Sequence, residues 1–156
     1  MNVEFINPFI EASTSIIRQT TGITPKLGKL YVKNAPYRSD SVLVMIGLTG
    51  KIYGSVVINF SVESACKVAS AMMGGLEVKS LDEIAKSAIA ELCNMILGNT
   101  ATVFSTKSIE IDITPPAVLT GQNMQLSVHR SVIVCIPLEL ENGAKIELDI
   151  SYIDKI

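Results

Sequence analysis

The chain has no tryptophan, one histidine and few aromatic residues (5%), and only 18% of its 156 residues are charged. Each scarcity removes a class of function. Thirteen Lys and Arg against fifteen Asp and Glu leave a net charge of −2. The sequence pI is near 5.4, so there is no basic surplus to neutralise a phosphate backbone, and nucleic acid is excluded as a partner. No apolar run approaches the roughly 20 residues of a membrane-spanning helix. Met1-Asn2-Val3-Glu4 also lacks the basic start of a secretory signal. The expectation is a cytoplasmic protein without membrane insertion. Cys66, Cys93 and Cys135 show no C-x-x-C spacing, and an odd number cannot all pair within one chain. They read as small buried hydrophobes. His129 has no cysteine or second histidine at ligand spacing and reads as a structural histidine rather than a zinc ligand. No Ser–His–Asp set or metal-ligand spacing is present, and Gly47, Gly50 and Gly54 lead into no helix, so they form no phosphate cradle. No metal site is expected.

What the chain does have is apolar bulk. Hydrophobic residues make up 48% of it, with mean hydropathy +0.41, which points to extra burial at a subunit interface. A chain of this length suits one domain and buries roughly two thirds of its unfolded surface. Linkers, low-complexity segments and internal duplications are absent from the sequence.

Hydrophobic spacing divides the chain into elements. Phe9, Ile10, Ile16 and Ile17 predict a helix over 7–21, with Asn7 as its cap, Pro8 in its first turn and Gly22 as its end. Strands are predicted over 27–33, 42–48 and 52–60, where Gly54 marks a bulge or a close helix contact. Ser61 caps a short helix over 62–73, burying Ala65, Cys66, Ala69 and Met72 before Gly74-Gly75. Ser80-Leu81-Asp82-Glu83 matches a capping box for the longest helix, which runs to about Phe104. After an extended segment interrupted by Pro115-Pro116, residues 131–152 alternate strongly around an Asn142-Gly143 type I′ turn. Pro137 places its strand at an edge or a bulge. The sum is an α+β fold with an antiparallel sheet of about five or six strands packed on long helices.

At about 100° per residue, Ala85, Ile89, Leu92 and Ile96 gather on the core side of the long helix. Ser87, Glu91, Asn94 and Gly98 share the other side, at i, i+4, i+7 and i+11, in a stripe about 60° wide. An outer helix face is normally polar, so spacing alone is weak evidence. Gly98 strengthens it, since glycine costs about 1 kcal/mol in a helix interior and suits close approach of another backbone. Asn94 is likewise a poor helix former.

The stretch SAIAELCNMILGN resembles the active-site helix of the CheC, CheX and FliY phosphatases. Their pattern is Asp or Ser, three residues, Glu, two residues, Asn, then a distant Pro. Ser87, Glu91 and Asn94 match it, and Pro116 follows downstream. The likeness extends to Asn7-Pro8-Phe9, to Gly50 and Gly54, and to Met72-Met73-Gly74-Gly75, with the CheX type most similar. A second E-x-x-N, Glu4 and Asn7, has no residue four places earlier and is followed at once by Pro8.

The resemblance implies a CheX-like domain over residues 1–156 that hydrolyses the aspartyl phosphate of a CheY-type response regulator in chemotaxis. It implies that Asn94 orients the attacking water and that Glu91 pairs with the regulator's lysine. Ser87 is then a partner contact beside Gly98, and Pro116 a structural support. It also implies a homodimer with no cofactor of its own, the phosphorylated partner supplying Mg2+. The alternative is a noncatalytic receiver-binding or flagellar-switch-like adaptor, against which the intact Ser87, Glu91 and Asn94 stand.

Overall fold

Ile146, Leu148, Ile150 and Tyr152 alternate with Glu147, Asp149 and Ser151 along the last strand. The period of two sends the first set into the main core and the second to the sheet's opposite face. The computed structural model describes residues 3–128 and 132–154, the side chains of Asp40 and Asp154 set aside, so His129 lies outside the described residues.

The order is α1 (Val3–Thr21), β1 (Lys26–Leu27), β2 (Tyr31–Asn34), β3 (Tyr37–Gly50), β4 (Ile52–Phe60), α2 (Val62–Met72), α3 (Glu83–Thr106), β5 (Ile111–Ile113), β6 (Ala117–Leu126), β7 (Val132–Glu139) and β8 (Lys145–Asp154). The strands form one antiparallel sheet in which β1 and β2 flank β7, followed by β8, β4 and β3, with β5 and β6 both on the far side of β3. Both borders are split strands, so eight are found where periodicity alone indicates five or six. The helices pack on one face through Phe9, Ile17, Ile89, Leu92, Ile96 and Phe104, all fully buried. Each such side chain contributes at most about 1.5–3 kcal/mol. Among the described residues no helix is long and apolar enough to cross a membrane.

Several local expectations are corrected. Helix α1 starts at Val3, so Asn7 is an exposed helical residue rather than a cap, and Pro8 lies inside the helix. Buried Phe5 and Ile6 extend the apolar stripe upstream and hold those first turns. Cys93 and Cys135 are buried, but Cys66 is only partly so, because α2 turns Ser64, Ala65, Val68 and Ala69 inward instead. Met72 is also only partly buried.

Pro137 sits in an interior strand, between β8 and the β1–β2 border. Its carbonyl accepts a hydrogen bond from Gly28 N at 2.9 Å. The amide and carbonyl of one strand residue point the same way, so the missing N–H falls where β1 and β2 are interrupted and the ladder loses little. Gly54 faces a strand rather than a helix: a Cβ there would collide with the Ser151 carbonyl oxygen of β8. In the last hairpin only Gly143 of the Asn142-Gly143 pair has positive φ (90°). Gly143 N donates to Leu140 O, giving a three-residue loop with a left-handed third position in place of a type I′ turn.

Candidate functional site

The long helix is capped by Asp82, not Ser80: its Oδ1 accepts the Ala85 amide at 2.8 Å. An ionised acceptor at a helix N-terminus outcompetes a hydroxyl. The core side of α3 holds as expected, with Ala85, Ile89, Leu92, Cys93 and Ile96 fully buried, together with Leu97 and Thr100. Its far end is anchored by aromatic contacts. Phe104 meets Phe9 edge-on at 5.7 Å and Phe5 at 6.4 Å, and Phe5 meets Tyr152 at 5.8 Å. Edge and tilted ring pairs of this kind hold a helix at a defined angle.

The opposite side carries the candidate residues. Ser87 and Glu91 are exposed, while Asn94 and Gly98 are half-buried. The structure therefore brings these four onto one solvent-facing stripe of a continuous helix. None of Ser87, Glu91 and Asn94 has a side-chain hydrogen bond or ion pair among the described residues. A Cβ on Gly98 would meet nothing within 4 Å, so nothing among the described residues requires glycine there. Cavities of about 510 and 700 Å³ lie elsewhere, and none of the four residues lines them. The stripe is convex, which suits entry into another molecule's pocket rather than capture of a small substrate.

Chemically, the pair offers complementary groups. A carboxamide accepts a hydrogen bond from water and donates another without changing protonation, and a carboxylate one turn away can hold a cation. Pro116 is not on the stripe. It lies half-buried between β5 and β6, next to the Thr114 segment that is tied to β3 by Thr114 N to Gly47 O (3.0 Å) and Gly47 N to Thr114 Oγ1 (2.7 Å).

A second group meets on the sheet face away from the helices. Lys33 Nζ lies 2.7 Å from Asp149 Oδ2 and 3.4 Å from Glu147 Oε2. Asn59 donates to Asp149 Oδ2 at 2.8 Å, and the Tyr31 hydroxyl donates to Glu147 at 2.5 Å. Cys135, Glu147 and Asp149 bring ligand-type atoms within 4.8 Å of one another, a cluster that spacing along the chain did not reveal. Lys33 supplies the cation beside it. Burial, then the charge of Asp149, pushes the Cys135 thiol up to about 12. Burial and the neighbouring Asp149 carboxylate raise Glu147. For Lys33, burial pulls down but the bond and charge of Asp149 outweigh it, so the ammonium is favoured. These groups form a half-buried ion-pair network, centred on the buried Asp149, that joins β2 to β7 and β8.

The family model described as chemotaxis phosphatase CheX matches residues 42–139, which include Ser87, Glu91, Asn94, Gly98 and Pro116. The CheY-P phosphatase CheX of Thermotoga maritima is 38% identical over 151 residues, 97% of each chain. This chain belongs to the CheX chemotaxis phosphatase family.

Solved CheX structures share the fold. CheX from Desulfovibrio desulfuricans superposes with TM-score 0.84 at 27% identity, over 96% of this chain and 99% of that one. CheX in a CheX–CheY–BeF3–Mg2+ complex from Borrelia burgdorferi gives TM-score 0.79 at 31% identity, over 97% and 99%. Glu4 and Asn7 are also exposed, on the first turns of α1, but outside the region matched by the family model. Sequence reasoning missed two features of the site: the Asp82 cap and the exposure of Ile84 in the first turn of α3. The first could be read from Asp82 lying three residues before core-facing Ala85.

Proposed function

We propose that this chain hydrolyses the aspartyl phosphate of a CheY-type response regulator by inserting Glu91 and Asn94 into the regulator's phosphorylation pocket. The observation that carries the reading is the outward, unpartnered pair on one turn of a helix whose other side is locked into the core. The named activity of the Thermotoga relative and the CheY partner in the Borrelia complex point the same way.

In this mechanism a water oxygen attacks phosphorus, the bond from phosphorus to the aspartyl oxygen breaks, and carboxylate and inorganic phosphate leave. The Asn94 carbonyl accepts a hydrogen bond from the attacking water, and its NH2 steadies a phosphoryl oxygen. This is catalysis by positioning, as with the water-orienting glutamine of GTPases. Glu91 pairs with the regulator's lysine and fixes register. Ser87 adds a hydrogen bond to the partner, and Gly98 admits the partner's backbone. Pro116 stiffens the link between β5 and β6, against which α3 packs. The Mg2+ of the reaction comes with the phosphorylated regulator, and the chain contributes no cofactor.

The deciding experiment measures phosphate release from phosphorylated CheY-type receivers. Wild type accelerates it, and Asn94→Ala lowers the rate by roughly a hundredfold while still binding the receiver. An undiminished rate in Asn94→Ala removes Asn94 from the mechanism. The same reading includes a homodimer formed through sheet edges. Strand β6 pairs only with β3 among the described residues, and Leu119 on it and Val32 on β2 are exposed. Sedimentation that finds only monomer at micromolar concentration removes the dimer.

A further inference from the structure

Ile84 is 68% exposed in the first turn of α3, although the rest of that helix turns its large aliphatic side chains inward or against the core. It stands three, seven, ten and fourteen residues before Ser87, Glu91, Asn94 and Gly98. Steps of about 100° place it within roughly 80° of all four. The apolar side chain thus begins the same stripe that carries the chemistry. Stability does not explain it, because an exposed helix position favours Ala, Glu, Lys or Gln over a β-branched residue. Its neighbours along the same face are the exposed Ser87, three residues on, and Glu91, seven residues on. An exposed aliphatic side chain at the head of a polar stripe has the make-up of an interface anchor with a polar rim.

We infer that Ile84 seats on a nonpolar patch of the receiver domain, outside its phosphorylation pocket, and thereby selects which receivers are accepted. This rests on the phosphatase reading of the same helix. Ile84 lies about 15 Å along the axis from Asn94, at 1.5 Å per residue. A receiver of about 120 residues has a radius of gyration near 14 Å, so its face spans that distance once Asn94 enters its pocket. The helix is continuous between the two positions, so Ile84 is held at a fixed offset from Asn94.

The test compares wild type, Ile84→Ser, Ile84→Leu and the distant control Val3→Ser. Val3 is 65% exposed on the first turn of α1, near the Phe5–Phe104 end of the helix pair. Two readouts are taken: affinity for a beryllofluoride-loaded receiver, and KM and kcat for phosphate release. Ile84→Ser weakens affinity and raises KM by about tenfold, as loss of one buried aliphatic contact requires. Its kcat is retained, Ile84→Leu stays near wild type, and Val3→Ser changes nothing. Unchanged affinity in Ile84→Ser overturns the inference, as does a loss of kcat at constant KM. Receiver binding that depends on Ile84 without any acceleration of hydrolysis keeps the anchor and defeats the phosphatase reading. Absence of receiver binding by wild type defeats both.

Discussion

The ammonium of Lys33 lies 2.7 Å from the carboxylate of Asp149, whose side chain is 1% exposed. Asp149 Oδ1 has no hydrogen-bond partner among the described residues, so most of the compensation for this buried charge comes from Lys33 and Asn59 on the other oxygen. Removing one member of a buried pair leaves the other unsolvated and unneutralised. Lys33→Met is therefore expected to lower stability by about 3 kcal/mol, read by urea denaturation. Adding Asp149→Asn to that variant recovers part of the loss. A neutral effect of Lys33→Met alone shows that the pair adds nothing to stability.

The same network makes stability depend on pH. The folded pKa of Glu147 is raised above its ordinary value of 4.5, first by burial and then by the neighbouring Asp149 carboxylate. As pH climbs from 4.5 toward the folded value, the unfolded chain has released a proton that the folded chain still holds. The folded state binds more protons in that window, so unfolding free energy falls as pH rises. Glu147→Gln removes this titration and flattens the decline. Urea midpoints measured at steps from pH 4.5 to 7 check the slope, and an equal slope in the variant assigns it to another group.

Local pattern made much of the fold legible. Ser61 accepts the Ser64 amide as cap of α2, and β4 spans Ile52–Phe60, because caps and two-residue alternation need only neighbouring residues. The split borders were less visible. β1 has two residues and β5 three, so their pairing depends on β7 and β3 rather than on their own propensity. The first half of β3 is polar, Arg38 to Ser41, and bulged between Ser39 and Ser41, which hides a strand from hydrophobic periodicity. The meeting of Lys33 with Glu147 and Asp149 was not legible, since alternation assigns a face without telling which strands lie side by side. On α3 the helical angle alone placed Ser87, Glu91, Asn94 and Gly98 outward. The same angle puts Ile84 on that side as well, but an isoleucine in a helix reads as core, so its exposure went unread.

Glu91 is exposed and carries its charge toward a partner cation in the proposed complex. Opposite charges on two proteins also steer their encounter through long-range attraction, screened over about 10 Å at 0.1 M salt. The apparent KM of wild type is therefore expected to rise with ionic strength. Glu91→Gln keeps the shape but removes the charge, so its KM is higher at low salt and its salt dependence is shallower. Parallel salt profiles for the two proteins exclude a charge contact by Glu91.

Gly98 separates folding from function, because the two make opposite demands on it. With open space around its Cβ position, Gly98→Ala relieves the glycine penalty and stabilises the helix by about 1 kcal/mol. Gly98→Leu is equally free of clashes within the chain at Cβ, and it too raises the thermal midpoint. If the glycine exists so that a receiver's backbone can come close, the leucine variant holds the partner off while Asn94 and Glu91 remain intact. Receiver affinity then drops in Gly98→Leu as its melting temperature rises. A leucine variant that is more stable and binds as tightly as wild type shows that the glycine has no part in docking.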